Sequence, residues 1–281
     1  MRALLAGAGA LCGLHPGARG TVLASFSRAC YLDLTGALVL EDPDAHPAGL
    51  VALVGRDAHP GPVHLVLDGP VPTLTPGSPV IVGDGELLVG QRSVDLRAVQ
   101  PWTGALPAPA LVHAAAPLLS DVLEEAAAGS PLSAAAGSPL SAMGARASEG
   151  LERLRAGDPD RAAALLGGLG PGLTPAGDDV LAGAMVALRA LCGPNVQPAL
   201  ARAAGAVRTC RISLAFLVLA ARGQTLAPVH DLLVAAVKGD AERAAAAARA
   251  LAAVGASSGA DFALGLRAIL IGHSTARRSI A

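Results

Sequence analysis

Four glycines and one proline fall among the six positions Gly167–Gly172, and a stretch of that composition can be neither helix interior nor strand. It is a loop whose backbone can take positive φ and approach a ligand closely. A helix begins directly after it. Thr174 is a good N-cap, Pro175 suits the first helical position, and Val180, Leu181, Ala184, Leu188 and Leu191 follow at helical spacing until Gly193-Pro194 ends the run. A glycine loop feeding a helix N-terminus presents backbone N–H groups and the positive end of the helix dipole to an anion. Gly170, Gly172 and Thr174 are therefore candidate anion binders, and Gly177 lies one turn further on.

Asp178 and Asp179 fall in that first turn. They either favour the positive end of the helix by about 0.3–1 kcal/mol while facing water, or hold Mg²⁺ or a cationic group of a substrate. Consecutive helical residues point about 100° apart, so one carboxylate is expected to work and the other to support it. A second copy of the pattern Gly-x-Asp-x-x-x-Gly occurs later: Gly177, Asp179 and Gly183 correspond to Gly259, Asp261 and Gly265. Ser257 or Ser258 caps the second helix as Thr174 caps the first. The glycines four residues after each aspartate leave flat patches, which predicts that the two helices cross there. If the two polar starts face each other, they form one pocket.

The other chemistry-bearing residues are sparser. Arg208 and Arg211 lie three apart, and Thr209 and Ser213 four apart, just before an apolar helix over Leu214–Ala221; on one helix the arginines would share a face and offer positive charge to an anionic ligand. Ser27 and Arg28 are either ordinary strand-end residues or a clamp for phosphate or carboxylate. Four cysteines show no C-x-x-C spacing and seven histidines are scattered, so neither a disulfide framework nor a zinc site is indicated. A net charge of −1 gives no global field toward nucleic acid or an anionic membrane. The mean hydropathy of +0.52 reflects alanine-rich helices, and no uncharged apolar run of membrane-spanning length occurs. Residues 3–14 faintly imitate a signal peptide but read as mature sequence, and the expected location is the cytoplasm.

The fold expected is α+β, with a small β-sheet or barrel domain over 1–105 and a mainly helical domain over 106–281. Strands are predicted at Thr21–Phe26, Cys30–Leu34, Ala37–Leu40, Val63–Leu67, Pro79–Val82 and Glu86–Val89, with Asp84-Gly85 as a hairpin turn. Helices are predicted over 103–127, 146–156, from Asp158-Pro159, Pro198–Val207, Leu226–Val237 and Ala241–Val254. A tandem duplication, Ala128–Ala134 and Ala136–Ala142, reads as a flexible loop near 128–145 without a functional role, and the last eight residues as loose.

The motif over 168–183, with Thr209-Cys-Arg-Ile-Ser213 and Ser257-Ser258-Gly259-Ala260-Asp261, resembles the AllH-like family, long described only as a domain of unknown function. That family includes a subunit of oxamate carbamoyltransferase from anaerobic allantoin breakdown. The resemblance is strong over 160–270 and diffuse over the first 100 residues, where Phe26-Ser27-Arg28-Ala29 agrees loosely. It implies a subunit of a carbamoyltransferase complex that moves a carbamoyl group between carbamoyl phosphate and an amide such as oxamate, with other subunits as partners and a small anionic substrate. On that view Asp178, Asp179 and Asp261 orient the acceptor nitrogen or a metal, Ser257, Ser258 and Gly259 contact the substrate, and Arg208, Thr209, Arg211 and Ser213 stand nearby. No cofactor is assigned, with Mg²⁺ the one candidate. Two alternatives stay open: a non-catalytic anion-binding or scaffolding subunit, and a Mg²⁺-dependent hydrolase or phosphotransferase.

Overall fold

The Asp84-Gly85 turn joins strands Pro79–Val82 and Glu86–Val89, with Gly85 at φ +72°, a conformation that glycine adopts without strain. Val80, Val82, Leu87 and Val89 point inward and their neighbours outward, the period-two pattern of a sheet with one covered face. This hairpin belongs to the first of two compact units, Met1–Gly104 and Ala105–Ala281, into which the chain divides. The computed structural model describes residues 1–34, 49–138 and 141–278. The strand predicted at Ala37–Leu40 lies outside them.

Among the described residues, the first unit comprises β1 (Ala3–Gly7), α1 (Ala8–Gly13), β2 (Arg19–Ser25), β3 (Ala29–Asp33), β4 (Leu50–Val54), β5 (His64–Leu67), β6 (Pro79–Val82), β7 (Glu86–Val89), β8 (Arg92–Asp95) and β9 (Gln100–Trp102). The strands form one mixed sheet in the order β8-β7-β6-β2-β3-β4-β5-β1-β9, parallel at β4–β5 and β1–β9 and antiparallel elsewhere. A bridge between Arg2 and Asp95 ties the start of β1 to the end of β8, so the sheet curls back on itself. Leu32, Leu53, Leu65 and Leu87 fill its interior. The stretch that imitates a signal peptide is β1 and α1, whose Ala3, Ala6 and Ala10 join this core. Strand β4 was not predicted: all five of its residues are buried, so it lacks the alternation that marks a half-covered strand.

The second unit is helical: α2 (Pro109–Ala128), α3 (Pro131–Ala136), α4 (Ala142–Arg155), α5 (Pro159–Leu166), α6 (Ala176–Cys192), α7 (Gln197–Ala206), α8 (Arg211–Ala221), α9 (Ala227–Val237), α10 (Ala241–Ala252) and α11 (Ser258–Arg278). The protein is thus an α+β chain with its helices in the C-terminal part. Helices α6 and α11 cross at their glycines. A Cβ added at Gly183 would lie 2.0 Å from the Phe262 carbonyl oxygen, and one at Gly265 would lie 1.9 Å from that of Val180. The predicted crossing is therefore real, and the two backbones touch where side chains are missing.

The crossing is the centre of a longer internal repeat in which α4–α5–α6 corresponds to α9–α10–α11 at one constant spacing. Gly157 and Gly239 end α4 and α9 at φ +73° and +72°. In each case the glycine N–H bonds back to the carbonyl of Leu154 or Ala236, and the next N–H bonds to that of Arg153 or Ala235, a Schellman closure. Asp158 and Asp240 then cap α5 and α10 by accepting from Arg161 N–H and Arg243 N–H. Gly177 and Gly259 each press onto a carbonyl of the helix before them, Leu166 and Leu251, though those two residues are not equivalent in the repeat. The contacts at the crossing obey the same correspondence: Gly183 meets Phe262 and Leu266, and Gly265 meets their counterparts Val180 and Ala184. The contacts at the crossing are therefore reciprocal between the two copies.

Several local expectations are corrected. The duplicated segment is not a plain loop: its first copy forms α3, its second ends where α4 begins, and Ser130 is buried between α2 and α3. Pro175, not Thr174, occupies the N-cap position of α6, because the Thr174 hydroxyl is used elsewhere. Helix α8 starts only at Arg211, so Arg208 and Thr209 lie on the link before it and share no helical face with Arg211 and Ser213. Helix α11 continues to Arg278 instead of ending before a loose tail. The stretch 176–206, which spans α6 and α7, is long and apolar enough to cross a membrane by length and composition alone, yet its most apolar window is mostly buried within the unit.

Candidate functional site

The α6–α11 crossing brings the two polar helix starts together. Thr174, from the glycine loop, donates its hydroxyl to Asp179 Oδ2 at 3.1 Å and stands 3.0 Å from the Ser258 hydroxyl at the head of α11. All three side chains are partly exposed. Behind them lies Asp261, fully buried, whose Oδ1 accepts a hydrogen bond from the Ser130 hydroxyl. Its second oxygen, Oδ2, is buried without a hydrogen-bond partner. The site is thus a partly open tier of Thr174, Asp179 and Ser258 over a closed tier of Asp261 and Ser130.

Electrostatics separates the carboxyls. Burial pushes the Asp179 pKa up to about 8, against hydrogen bonds from Ser258 and Thr174, and the negative charges of Asp261 and Asp178 add to the rise. Burial also raises the pKa of Asp261, opposed by hydrogen bonds from Ser130, Ser257 and the Leu132 N–H. Two carboxyls this close resist ionising together, so at neutral pH the pair retains a proton that an isolated aspartate would have lost.

Asp178 is turned away from this pair. It is buried, its Oδ1 accepts from the Gly168 N–H at 2.8 Å, and its Oδ2 accepts from the Thr209 hydroxyl. It thereby ties the glycine loop and the α7–α8 link to α6. Both oxygens are engaged, which leaves Asp179 as the carboxyl of the pair that a ligand can reach. Among the described residues no three His, Cys, Asp or Glu side chains form a group able to hold a metal ion.

The remaining candidates divide. Gly170 and Gly172 take φ +109° and +110°, so the loop adopts a path that side chains rarely permit. The N–H groups at the head of α6 are largely engaged within the chain: Gly177 N–H bonds to the Leu169 carbonyl, and those of Asp178 and Asp179 bond to the Pro175 carbonyl. Cys210 caps α8 and its thiol donates to the Leu173 carbonyl, which seats the start of α8 beside the glycine loop. Arg208 is exposed on that link, Arg211 is half-buried at the first position of α8, and Ser213 is buried with its hydroxyl unpartnered. Ser257 and Gly259 flank Ser258 at the head of α11, with Gly259 buried. Ser27 and Arg28 form the tip of the β2–β3 hairpin in the first unit.

Ser130 was missed by sequence reasoning. A signal was present: Ser-Pro followed by apolar residues is a helix-start pattern, and Ser130 does cap α3 by accepting from Ser133 N–H at 3.2 Å. Its contact with Asp261, far along the chain, carried no signal at all.

Residues 166–270 match the family model described as oxamate carbamoyltransferase subunit AllH. No curated protein and no solved structure matches the chain. The matched residues begin at the last residue of α5 and end within α11, so they take in both glycine–aspartate helix starts, the glycine loop and Thr209. Through this stretch of its helical unit the chain is similar to the AllH-like family.

Proposed function

We propose that this protein is a subunit of a carbamoyltransferase complex and that the Thr174–Asp179–Ser258 cluster handles the nitrogen of the carbamoyl acceptor. The family's name is that of a subunit of oxamate carbamoyltransferase, which supports other transferase subunits as partners. The observation that carries the site assignment is Asp179: a partly open carboxyl whose proton affinity lies near neutrality, between two hydroxyls and in front of a second carboxyl.

Such a group suits the chemistry of an amide acceptor. When the amide nitrogen attacks the carbonyl carbon of carbamoyl phosphate, a C–N bond forms, the C–O bond to phosphate breaks and the nitrogen sheds one proton. Asp179 as carboxylate accepts that proton. In the reverse direction the amide is a poor leaving group, and Asp179 in its protonated form returns the proton as the C–N bond breaks. A pKa near 8 keeps both forms accessible close to neutral pH. The hydroxyls of Thr174 and Ser258 hold the carboxyl and offer hydrogen bonds to the acceptor. The anionic end of the substrate falls to the loop backbone at Gly170 and Gly172 and to Arg208, and the partner subunits complete the site.

The test is the assembled complex with carbamoyl phosphate and oxamate, followed by oxamate-dependent phosphate release. Asp179→Asn keeps the shape and removes the proton exchange, and it is expected to lower kcat by about 100-fold or more. An Asp179→Asn complex that turns over like the parent would sink the assignment.

A further inference from the structure

Two carboxyls at equivalent positions of the internal repeat have different surroundings, and Ser130 leads the donors that set Asp261 apart, with Ser257 and the Leu132 N–H beside it. Ser130 is 1 % exposed and reaches Asp261 from the link between α2 and α3. Its oxygen accepts from Ser133 N–H, so the hydroxyl proton is directed at Asp261 Oδ1 and is not available to the backbone. The approach is allowed by the small residue beside Asp261: a Cβ on Gly129 would sit in ordinary contact, 3.5 Å, with that of Ala260. Asp179 has no equivalent in its own half, since its hydroxyl partners Thr174 and Ser258 are in the partly open tier.

We propose that Ser130 is a positioning residue of this site: by donating to Asp261 it keeps that buried carboxyl ionised, so that the proton held by the pair resides on Asp179, where an acceptor can meet it. Without the hydroxyl, Asp261 loses the foremost of the hydrogen bonds that favour its charge, and only Ser257 and the Leu132 N–H remain to oppose its burial. The proton then divides between the two carboxyls. A proton on Asp261 is shut away from the acceptor, and Asp179 is left as a carboxylate unable to act as acid. Asp178 also acts on Asp179 through its charge, but it is turned away and its own hydrogen bonds from Gly168 and Thr209 do not involve Ser130.

This inference rests on the reading of Asp179 as the proton-carrying group, and it is tested by two readouts. In the full-length chain labelled at aspartate carboxyl carbons, the shift of each carboxyl at pH 7 reports its protonation. Ser130→Ala is expected to move the Asp261 signal toward the protonated position and the Asp179 signal toward the ionised one, and Ser130→Thr to restore the parent pattern. In the assembled complex, Ser130→Ala is expected to lower kcat for C–N cleavage by about tenfold with little change in KM. Carboxyl signals that stay where they are in Ser130→Ala overturn the proposal even if activity falls. Normal turnover by Asp179→Asn, with the signals moving as expected, overturns the underlying reading and leaves Ser130 no catalytic proton to position. A tenfold loss that Ser130→Thr does not rescue also counts against the proposal.

Discussion

The heads of α6 and α11 are two versions of one structure, and they differ in how their aspartates are held. Both have a glycine as their second residue pressed on the preceding helix, both carry an aspartate two residues later, and both cross through a glycine four residues beyond that. In the first version the intervening residue is Asp178, which binds Gly168 and Thr209; in the second it is Ala260, small enough to let the α2–α3 link bring in Ser130. Each version therefore buries one carboxylate under a hydroxyl from a distant link, but the carboxylate is Asp178 in one and Asp261 in the other. Asp179 is the acid left over in the partly open tier. A repeated scaffold with different fillings thus holds two aspartates under hydroxyls from distant links and leaves the third between Thr174 and Ser258.

The sharpest way to break the comparison is at the crossing. Gly183→Ala and Gly265→Ala each drive a methyl group into the opposing helix backbone and are each expected to cost about 3 kcal/mol, the upper part of the usual overpacking range. Denaturant titration of the two variants checks this, and the reciprocal contacts require similar losses. Gly205→Ala in α7, where a Cβ meets nothing within 4 Å, serves as the contrast and is expected to stabilise by up to about 1 kcal/mol. A large loss at one crossing glycine and none at the other would refute the equivalence.

Asp178→Ala tests the structural role assigned to the first version. It leaves the Gly168 N–H and the Thr209 hydroxyl without their acceptor and is expected to cost about 2 kcal/mol. Proteolysis of the glycine loop should quicken at the same time, since Asp178 ties that loop down.

The finest test is pH dependence. Because the folded protein holds the Asp179 proton up to about pH 8, whereas an unfolded aspartate releases it near 3.8, the native state binds more protons between those values. The contribution of Asp179 therefore falls as pH rises from about 4 to about 8 and changes little beyond. Thermal melts across that window should show a smaller decline for Asp179→Asn than for the parent chain. Equal slopes would show that Asp179 titrates like an exposed aspartate.

Much of this arrangement was legible beforehand, for reasons that differ by residue. Gly183 and Gly265 announced a helix crossing because only a close backbone approach accounts for a side chain missing from an apolar helix face. The β6–β7 hairpin was legible because Asp84-Gly85 and period-two burial agree. Strand β4 was not, since full burial erases alternation, and the cap of α6 was misread because Thr174 has a tertiary use that outweighs the local one. Arg208 and Arg211 looked like a pair only on the assumption of a continuous helix, which the link before α8 interrupts.

What the amino-acid sequence settled alone is the local grammar: a glycine loop, two polar helix starts, a repeated glycine–aspartate–glycine spacing and an α+β order of elements. These follow from backbone sterics and hydrophobic periodicity, which act within a few residues. Tertiary structure decided which aspartate is buried, which is tied down by Thr209, which is held by Ser130 and which keeps a proton. Those properties depend on desolvation and on hydroxyls delivered from far along the chain, and neither exists until the helices have packed.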